Sequence, residues 1–365
     1  MIMQKIHVIG NKQVCFSKHL HPIRVFKDNL NEVGLDIKYF PSTKGKNIAE
    51  CDVLIFLEGN YRDILPITRK DRKAAIDYLQ CFFSKFKKVI WFDDRDETGN
   101  LRTYIFPFIN IYAKAQTLVD KTYYQKDHSI GTPHRDFVAA RYQVKDAQII
   151  KGLLSDNDLG KIRVSWNLGL VNWVYAIENS PIIKEILLKH RKDYRIEFTS
   201  PNLSTRKIHI SYRVGMRENI PTVGWWRAST KNEIEEFLNK NPKYKINSIN
   251  IVNKREYHQE MQNSIVSPSP FGIGEICYRD FECFLNGSLL LKPRMDHTQT
   301  WPALYVDGET FIAHAWDFSD FTDKLEDILT HPARYEEVAR EGQNRFRQAL
   351  SDGAGFARHF AEMIA

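Results

Sequence analysis

The segment Ser264–Pro302 reads SIVSPSPFGIGEICYRDFECFLNGSLLLKPRMDHTQTWP. Its apolar start, Ser264–Ser267, predicts a buried strand, and the spacing of apolar residues in Gly274–Asn286 predicts a helix. Gly287 predicts the end of that helix, and the apolar run Ser288–Lys292 predicts a second strand. A strand, a helix and a second strand in this order form the βαβ unit of a parallel sheet.

Apolar runs on both sides of this segment repeat the same alternation. Before residue 160 we predict strands at Lys5–Gly10, Asp36–Phe40, Cys51–Leu57 and Lys88–Phe92, and helices at His21–Val33, Asp71–Phe86 and Tyr104–Leu118. After it, the further predicted strands are Lys161–Trp166, Lys207–Val214, Pro221–Trp225, Ile246–Val252 and Thr310–Ala315. The further predicted helices are Pro181–Lys189, Lys231–Asn239, Lys254–Gln262, Phe318–Leu329 and Ala333–Leu350. These elements predict an α/β fold with two Rossmann-like βαβ domains that face each other across a cleft.

The length of 365 residues is enough for two domains of ordinary size. We place the boundary near residue 160, with one Rossmann-like domain over 1–160, a second over 161–340, and a C-terminal helix in 341–365. In such sheets ligands bind beyond the carboxyl ends of the strands. The acidic turn Asp93–Glu97 follows the fourth predicted strand and therefore lies at such an end.

Composition and charge indicate which partners and which cellular compartment to expect. The formal net charge is +7, and because Lys and Arg are scattered along the chain we predict no nucleic-acid partner. Five cysteines without a CxxC pair fit a reducing compartment. No stretch approaches the roughly 18 apolar residues of a membrane span, and the start of the chain lacks a signal-peptide core. We therefore expect a cytoplasmic protein, with a peripheral contact at the inner face of the membrane left open.

The loop and helix of the quoted segment suggest phosphate chemistry. Gly272 and Gly274 would let backbone amides approach a ligand closely, and the following helix N-terminus would offer N–H groups to an anion. Glu275, Arg279 and Glu282 are spaced i, i+4 and i+7, so they share one helix face. A carboxylate there suits ribose hydroxyls, and an arginine suits a diphosphate. The same spacing also occurs on solvated helices, where a charge pair contributes only about 0.2–0.5 kcal/mol.

The order of helix, Gly287 and apolar strand resembles the C-terminal domain of the group-1 GT-B glycosyltransferases. The run S-P-x-G…R-x-F-E also resembles exostosin-type transferases. The resemblance implies a nucleotide-sugar donor in 161–340, an acceptor in 1–160, and a C-terminal helix that packs back on the first domain. It assigns Glu282 to the ribose and Glu275 to the donor sugar, although the chain has E-x6-E where the group-1 pattern has E-x7-E. It implies no obligatory cofactor, because the nucleotide sugar is a substrate.

Further candidates surround this motif. The resemblance places Lys292 and His297 beside the donor, with Lys292 neutralising diphosphate charge. Arginines near predicted strand ends are candidates for the phosphate site: Arg213, Arg217 and Arg227. An inverting transfer needs a general base, and the predicted catalytic residues are Asp93, Asp94 and Glu275. No HExxH or Walker motif is present, and the aspartates and histidines do not cluster at metal-ligand spacing, so we predict no obligatory metal.

The resulting hypothesis is a glycosyltransferase that moves a sugar from a nucleotide-activated donor to a glycan or lipid-linked glycan acceptor, in cell-surface polysaccharide synthesis. Two alternatives stay open. A noncatalytic protein on the same fold would bind a nucleotide or glycan without turnover. A sugar-nucleotide epimerase would act on the nucleotide sugar with no acceptor present.

Overall fold

The computed structural model describes residues 3–10, 19–58, 72–126, 132–146, 154–171, 173, 196–215, 217, 219–247 and 252–365. The strands are β1 Gln4–Ile9, β2 Leu35–Phe40, β3 Val53–Leu57, β4 Val89–Asp93, β5 Ile111–Lys114, β6 Gln116–Leu118, β7 Ile162–Val164, β8 Ile208–Ile210, β9 Ser264–Pro268, β10 Leu289–Pro293, β11 Thr298–Thr300 and β12 Ile312–His314. The α-helices are α1 His21–Val25, α2 Lys27–Glu32, α3 Arg72–Phe83, α4 Pro133–Tyr142, α5 Asp156–Leu159, α6 Pro221–Lys240, α7 Lys254–Gln262, α8 Tyr278–Asn286, α9 Phe321–Thr330, α10 Pro332–Ala349 and α11 Gly353–Ile364. Short 3-10 turns lie at Thr103–Phe108, Lys121–Gln125, Leu168–Leu170 and Leu203–Thr205.

The first sheet has six parallel strands in the order β2-β1-β3-β4-β5-β7. At its centre Ile55 of β3 lies beside Val8 of β1 and Ile90 of β4. Every residue of β3 and β4 is buried. Continuous burial is typical of parallel strands that are covered on both faces, and it explains the unbroken apolar runs in these strands.

The second sheet has four parallel strands in the order β12-β10-β9-β8. Leu291 of β10 lies between Pro268 of β9 and Ile312 of β12. The helix that joins β9 to β10 ends at Gly287, whose φ is +64°. A Cβ atom there would lie 2.4 Å from the carbonyl oxygen of Thr199, so glycine is required both by the backbone angle and by the space. The predicted α/β fold with parallel sheets is confirmed.

The chain passes between the two units more than once. Strand β7 follows residue 160 but extends the first sheet beside β5, with Ile162 opposite Tyr112. Helix α4 precedes residue 160 but packs on α6, and its Val138 belongs to the hydrophobic core around the second sheet. A single boundary near residue 160 therefore does not separate the units, because β7 finds its hydrogen-bonding edge in the first sheet.

Two further elements connect the units. Strands β6 and β11 form an antiparallel ribbon, in which Gln116 lies opposite Thr300. Helix α11 packs on the first sheet, where Phe356 and Phe360 contact Trp166 with ring centroids 5.0 and 5.9 Å apart. No helix among the described residues is long and apolar enough to cross a bilayer.

Several predicted elements differ in the structure, among them the helix predicted at His21–Val33, which is the two helices α1 and α2. The helix predicted at Tyr104–Leu118 is a 3-10 turn followed by β5 and β6, because this segment contains Pro107 and pairs with β4 instead. The strand predicted at Pro221–Trp225 is the first turn of α6, which Pro221 begins and whose buried residues repeat at helical spacing. The helix predicted from Gly274 begins at Tyr278. The predicted helix Pro181–Lys189 lies outside the described residues.

Candidate active site between the two sheets

The acidic turn begins at the end of β4, where the side chain of Asp93 is fully buried. Its carboxylate accepts hydrogen bonds from Arg95 at 2.8 Å, the Tyr112 hydroxyl at 2.6 Å and Lys114 at 3.0 Å. Burial by itself would raise the pKa of Asp93, but Lys114 and Arg95 hold it well below its usual range. The prediction of Asp93 as general base does not fit this environment, because a buried carboxylate with three donors is not available to accept a proton from a substrate.

A second carboxylate completes this cluster. Glu58 accepts a hydrogen bond from Nε of Arg102 at 2.7 Å and lies 3.1 Å from Nε of Arg95. We call this set of two carboxylates and three cations the balanced cluster: Glu58, Asp93, Arg95, Arg102 and Lys114. Because Arg95 is held by carboxylates on both sides, the cluster fixes the path of the acidic turn.

The other end of the acidic turn reaches the second unit. The backbone of Asp96 lies directly against Gly274, where a Cβ atom would be only 1.5 Å from the Asp96 carbonyl oxygen. The side chain of Asp96 is exposed, yet desolvation by the surrounding protein raises its pKa, and Asp94 and Glu97 raise it further against the opposing effects of His19 and Lys114. A carboxylate with a raised pKa at the meeting point of the two units is a candidate proton acceptor.

Beside this contact lies the Glu275 cluster, which consists of Thr98, His134, Glu275 and His297. The carboxylate of Glu275 is fully buried and accepts hydrogen bonds from the hydroxyl of Thr98 and, at 3.1 Å, from its backbone N–H. Nδ1 of His134 lies 3.4 Å and Nε2 of His297 lies 3.5 Å from the same oxygen of Glu275. Although burial would raise it, the two histidines hold the pKa of Glu275 well below its usual range.

On the other side of the glycine loop Gly272–Gly274 lies the arginine group: Arg217, Arg227 and Arg279. Arg227 is within 3.7 Å of the position that a Cβ of Gly272 would take. Desolvation lowers the pKa of Arg227, and the positive charges of Arg217 and Arg279 lower it further. Nη1 of Arg279 is buried and has no hydrogen-bond partner within the described part of the chain. Like charges that repel one another in this way favour an anionic ligand.

Helix α8 places Glu282 one turn beyond Arg279. The carboxylate of Glu282 accepts a hydrogen bond from the hydroxyl of Tyr257 at 2.7 Å. The guanidinium of Arg279 lies over the ring of the same tyrosine, 5.8 Å from its centroid. A carboxylate, an arginine and an aromatic ring therefore lie together, as recognition of a nucleotide would require.

The N-terminus of α8 is already occupied by a carboxylate. Cys277 caps the helix, and Asp280 accepts the backbone N–H of Cys277 at 3.2 Å. Asp280 is also 3.2 Å from Nζ of Lys292, and both side chains are completely buried. The predicted anion site at this helix end and the predicted role of Lys292 in neutralising a diphosphate are therefore not supported, because Asp280 already takes up both groups.

No protein-family model matches the chain, and no curated protein matches it in sequence. Solved structures match along almost the whole length. An alpha-glucosyltransferase in complex with UDP and DNA is 11% identical, with a TM-score of 0.45 and 99% of each chain covered. HepE from Anabaena in complex with UDP is 9% identical, with a TM-score of 0.44 and 99% of each chain covered. The beta-glucosyltransferase of T4 phage is 14% identical, with a TM-score of 0.42 and 99% of each chain covered.

One sequence prediction is wrong on this comparison, namely the exclusion of a nucleic-acid partner. Alpha-glucosyltransferase structures that match this chain contain DNA. The prediction relied on the overall charge of the chain. Contacts to backbone phosphates need only a local row of basic side chains, and a net charge of +7 spread along the chain does not report on such a row.

The structure brings together some of the predicted site residues and separates others. Arg279 and Glu282 lie together, with Gly272 and Arg227 close by. Arg213 is already bound within the protein. Its guanidinium donates two hydrogen bonds to the carboxylate of Glu260, one of them 2.7 Å long.

Other predicted residues lie in the Glu275 cluster and in or against the acidic turn. Gly274 contacts the acidic turn, so its lack of a side chain serves the packing of the two units. Glu275 and His297 face each other in the Glu275 cluster, and Asp94 is half-buried beside Asp96. Asp96 lies in the acidic turn that the sequence places at a strand end, but nothing in the sequence distinguishes it from Asp93 and Asp94, and no sequence signal singles out His134 or Tyr257.

Proposed function

We propose that this chain is a glycosyltransferase that uses a nucleotide-activated sugar as donor. One observation carries the proposal: the buried Nη1 of Arg279 has no hydrogen-bond partner among the described residues, and it belongs to a group of three arginines next to the glycine loop. A buried hydrogen-bond donor without a partner costs free energy. The diphosphate of a nucleotide sugar would supply hydrogen-bond acceptors and negative charge to this group.

The donor would lie along α8. Its diphosphate would contact Arg279 and Arg227, and its ribose hydroxyls would donate to Glu282, which the Tyr257 hydroxyl holds in place. During transfer the leaving diphosphate gains negative charge, and fixed guanidinium groups stabilise that charge without reorganising. This role for Glu282 is the one that the sequence resemblance implies.

The acceptor hydroxyl would lie near Asp96, at the point where the acidic turn meets the glycine loop. A raised pKa makes the carboxylate of Asp96 a better proton acceptor than an ordinary aspartate. We propose Asp96 as the general base in place of Asp93. The base would take the proton of the acceptor hydroxyl while the oxygen of that hydroxyl forms the new bond to the anomeric carbon.

The first experiment is a thermal-shift screen of the purified chain with nucleosides, nucleoside monophosphates, nucleoside diphosphates and nucleotide sugars. A ligand present at about 100 times its Kd stabilises the folded state by about 2.7 kcal/mol. We expect a shift with the diphosphates and nucleotide sugars of one base, and none with the nucleoside alone. A folded sample that shows no shift with any of them would overturn the donor site.

The second experiment adds acceptors to the donor found in the screen and follows products by mass spectrometry. We propose a glycan or lipid-linked glycan acceptor of the kind used in cell-surface polysaccharides, and the screen includes DNA with hydroxymethylated bases. Transfer to any acceptor supports the proposed activity. Donor binding without transfer or hydrolysis would favour the noncatalytic alternative, and conversion of the donor sugar without an acceptor would favour an epimerase.

A further inference from the structure

The Glu275 cluster brings three metal-ligating side chains from separate parts of the chain to one point. His134 lies in the first turn of α4, Glu275 lies before α8, and His297 directly precedes β11. One ligand atom from each lies within 4.8 Å of the others. None of these three residues belongs to the arginine group or to the balanced cluster.

Two of the three separations in this cluster are those of a tetrahedral metal site, and the third, between the histidine nitrogens, lies within 4.8 Å. Metal bonds of about 2.1 Å to nitrogen and oxygen, set at tetrahedral angles, place neighbouring ligand atoms about 3.4 Å apart. The two measured separations are 3.4 Å from Glu275 to Nδ1 of His134 and 3.5 Å from Glu275 to Nε2 of His297. An ion would therefore fit once the two imidazole nitrogens come as close to each other as each already is to Glu275.

The histidines also lack other partners. His134 is fully buried, and neither of its ring nitrogens has a hydrogen-bond partner in the described part of the chain. The same holds for both ring nitrogens of His297, whose side chain is 16% exposed. Nδ1 of His134 and Nε2 of His297 face Glu275 at 3.4 and 3.5 Å, longer than an ordinary hydrogen bond, so both nitrogens are available to a ligand placed between them and the carboxylate. A bound ion would take one nitrogen from each ring.

The surroundings of the cluster suit an ion as well. The ring of Phe271 lies 4.7 Å from that of His134, and the ring of Trp316 lies 4.9 Å from that of His297, so aromatic rings line two sides of the cluster. Thr98 donates two hydrogen bonds to Glu275 and orients its carboxylate. Outer partners of this kind fix the ligands of metal sites.

We propose that His134, Glu275 and His297 bind one divalent transition-metal ion of the zinc type. Two imidazoles and one carboxylate form a ligand set that zinc accepts, and the partly exposed side at His297 leaves a fourth position for water. The ion would hold Glu275 in the position where it receives both hydrogen bonds from Thr98, which belongs to the segment after the acidic turn. It would thus stabilise the contact between the two units, outside the donor chemistry for which the sequence predicts no obligatory metal.

The test measures metal binding directly. The full chain, freed of metal with a chelator, is titrated with Zn²⁺ by calorimetry and with Co²⁺ by absorption spectroscopy. We expect one ion per chain and the visible bands of tetrahedral Co²⁺ with nitrogen and oxygen ligands. A sulfur-to-cobalt charge-transfer band would overturn the proposal, because it would place the ion on one of the free cysteines.

Variants assign the site. His297→Ala and Glu275→Gln should each weaken Zn²⁺ binding by more than about 100-fold, since even the loss of an outer-shell partner costs 10–100-fold. The control is His331→Ala, whose side chain is exposed and pairs with Asp327 within one helix turn. Circular dichroism of the metal-free variants checks the fold, and His297→Ala, at the exposed side, is the variant that should fold most readily. No stoichiometric binding by the unchanged chain, or binding that His297→Ala leaves intact, would overturn the site but not the proposed donor site.

Discussion

The balanced cluster and the arginine group both lie beyond strand ends of a parallel sheet, but their charges are arranged differently. In the balanced cluster every buried charge has an opposite charge within 3.2 Å. In the arginine group burial lowers the pKa of Arg227, the charges of Arg217 and Arg279 lower it further, and Nη1 of Arg279 lacks a partner among the described residues. A buried charge is tolerated when it is paired and is costly when it is not. The first arrangement therefore fixes the shape of the acidic turn, and the second is suited to a ligand.

Asp96 should produce the largest effect, because it lies in the acidic turn but outside the balanced cluster. We expect Asp96→Asn to lower kcat by about 10²–10⁴-fold, the usual contribution of a general base. In the unchanged chain kcat/KM should fall as the pH drops through the raised pKa of Asp96, since the base acts only when ionised. The measurement is the pH profile of both proteins.

The control for this variant is a measurement of its stability to unfolding. A carboxylate whose pKa is raised by folding adds stability only while it is protonated, so Asp96→Asn should not destabilise the chain at neutral pH. Activity of Asp96→Asn equal to that of the unchanged chain, with the same acid limb, would remove Asp96 from the reaction.

Asp93 should show the opposite behaviour. We expect Asp93→Asn to lower the free energy of unfolding by about 3–5 kcal/mol, because it leaves Lys114 as a buried cation without its partner and Arg95 with Glu58 alone. The folded pKa of Asp93 is lowered, so its stabilisation is present above the unfolded pKa and is lost as the pH falls. Urea unfolding at neutral pH measures the difference.

The matched control is Asp36→Asn, at an exposed position of β2. It should change the free energy of unfolding by no more than about 0.5 kcal/mol. If both variants were equally stable, the balanced cluster would not hold the acidic turn.

Removing one cation from the arginine group should affect binding more than folding. We expect Arg279→Gln to weaken the affinity for a nucleoside diphosphate by about 10–100-fold, the loss of charge-assisted hydrogen bonds worth about 1.5–3 kcal/mol. Because one buried nitrogen of Arg279 has no hydrogen-bond partner among the residues that the structure describes, its removal should cost little stability. Calorimetric titration of the diphosphate measures the affinity.

Arg340→Gln is the control, since Arg340 pairs with Glu337 within α10 and is exposed. Equal affinities for the two variants would show that the diphosphate does not bind the arginine group.

Tyr257→Phe should give the smallest effect. The change removes only the hydroxyl that donates to Glu282 at 2.7 Å and leaves the ring beside Arg279. We expect a loss of donor affinity below about tenfold, in line with the 0.5–1.5 kcal/mol of one hydrogen bond. Nucleotide binding should weaken while binding of inorganic diphosphate stays unchanged, since Glu282 is proposed to contact the ribose. A parallel loss for both ligands would contradict that role.

Much of the fold follows from local sequence patterns. The runs Val53–Leu57 and Val89–Asp93 are continuous, apolar and of strand length, and such runs favour buried parallel strands. The prediction fails where a segment fits both the period of a strand and the period of a helix. In Pro221–Trp225 a short apolar stretch fits a strand as well as a helix, and the helical spacing becomes clear only when Trp226, Ile234 and Phe237 are included.

At the candidate site, local patterns do not predict which side chains contact each other. The spacing of Arg279 and Glu282 on one helix already places them near each other. The partners of Lys292 and Arg213 do not follow from spacing, because Asp280 of α8 reaches Lys292 of β10, and Glu260 of α7 reaches Arg213 in the segment after β8. Asp93 and Asp96 are alike in sequence, and only Arg95, Tyr112 and Lys114 distinguish them.

By itself the sequence determined the alternating elements, the two parallel sheets and the helix that carries Arg279 and Glu282, because backbone period and glycine geometry act over short distances along the chain. Only the tertiary structure decided which charges are neutralised and which are left for a ligand. It also brought Thr98, His134, Glu275 and His297 to one point. Those outcomes depend on burial and on distances of a few ångströms between residues far apart in the chain, and neither quantity is a property of a local pattern.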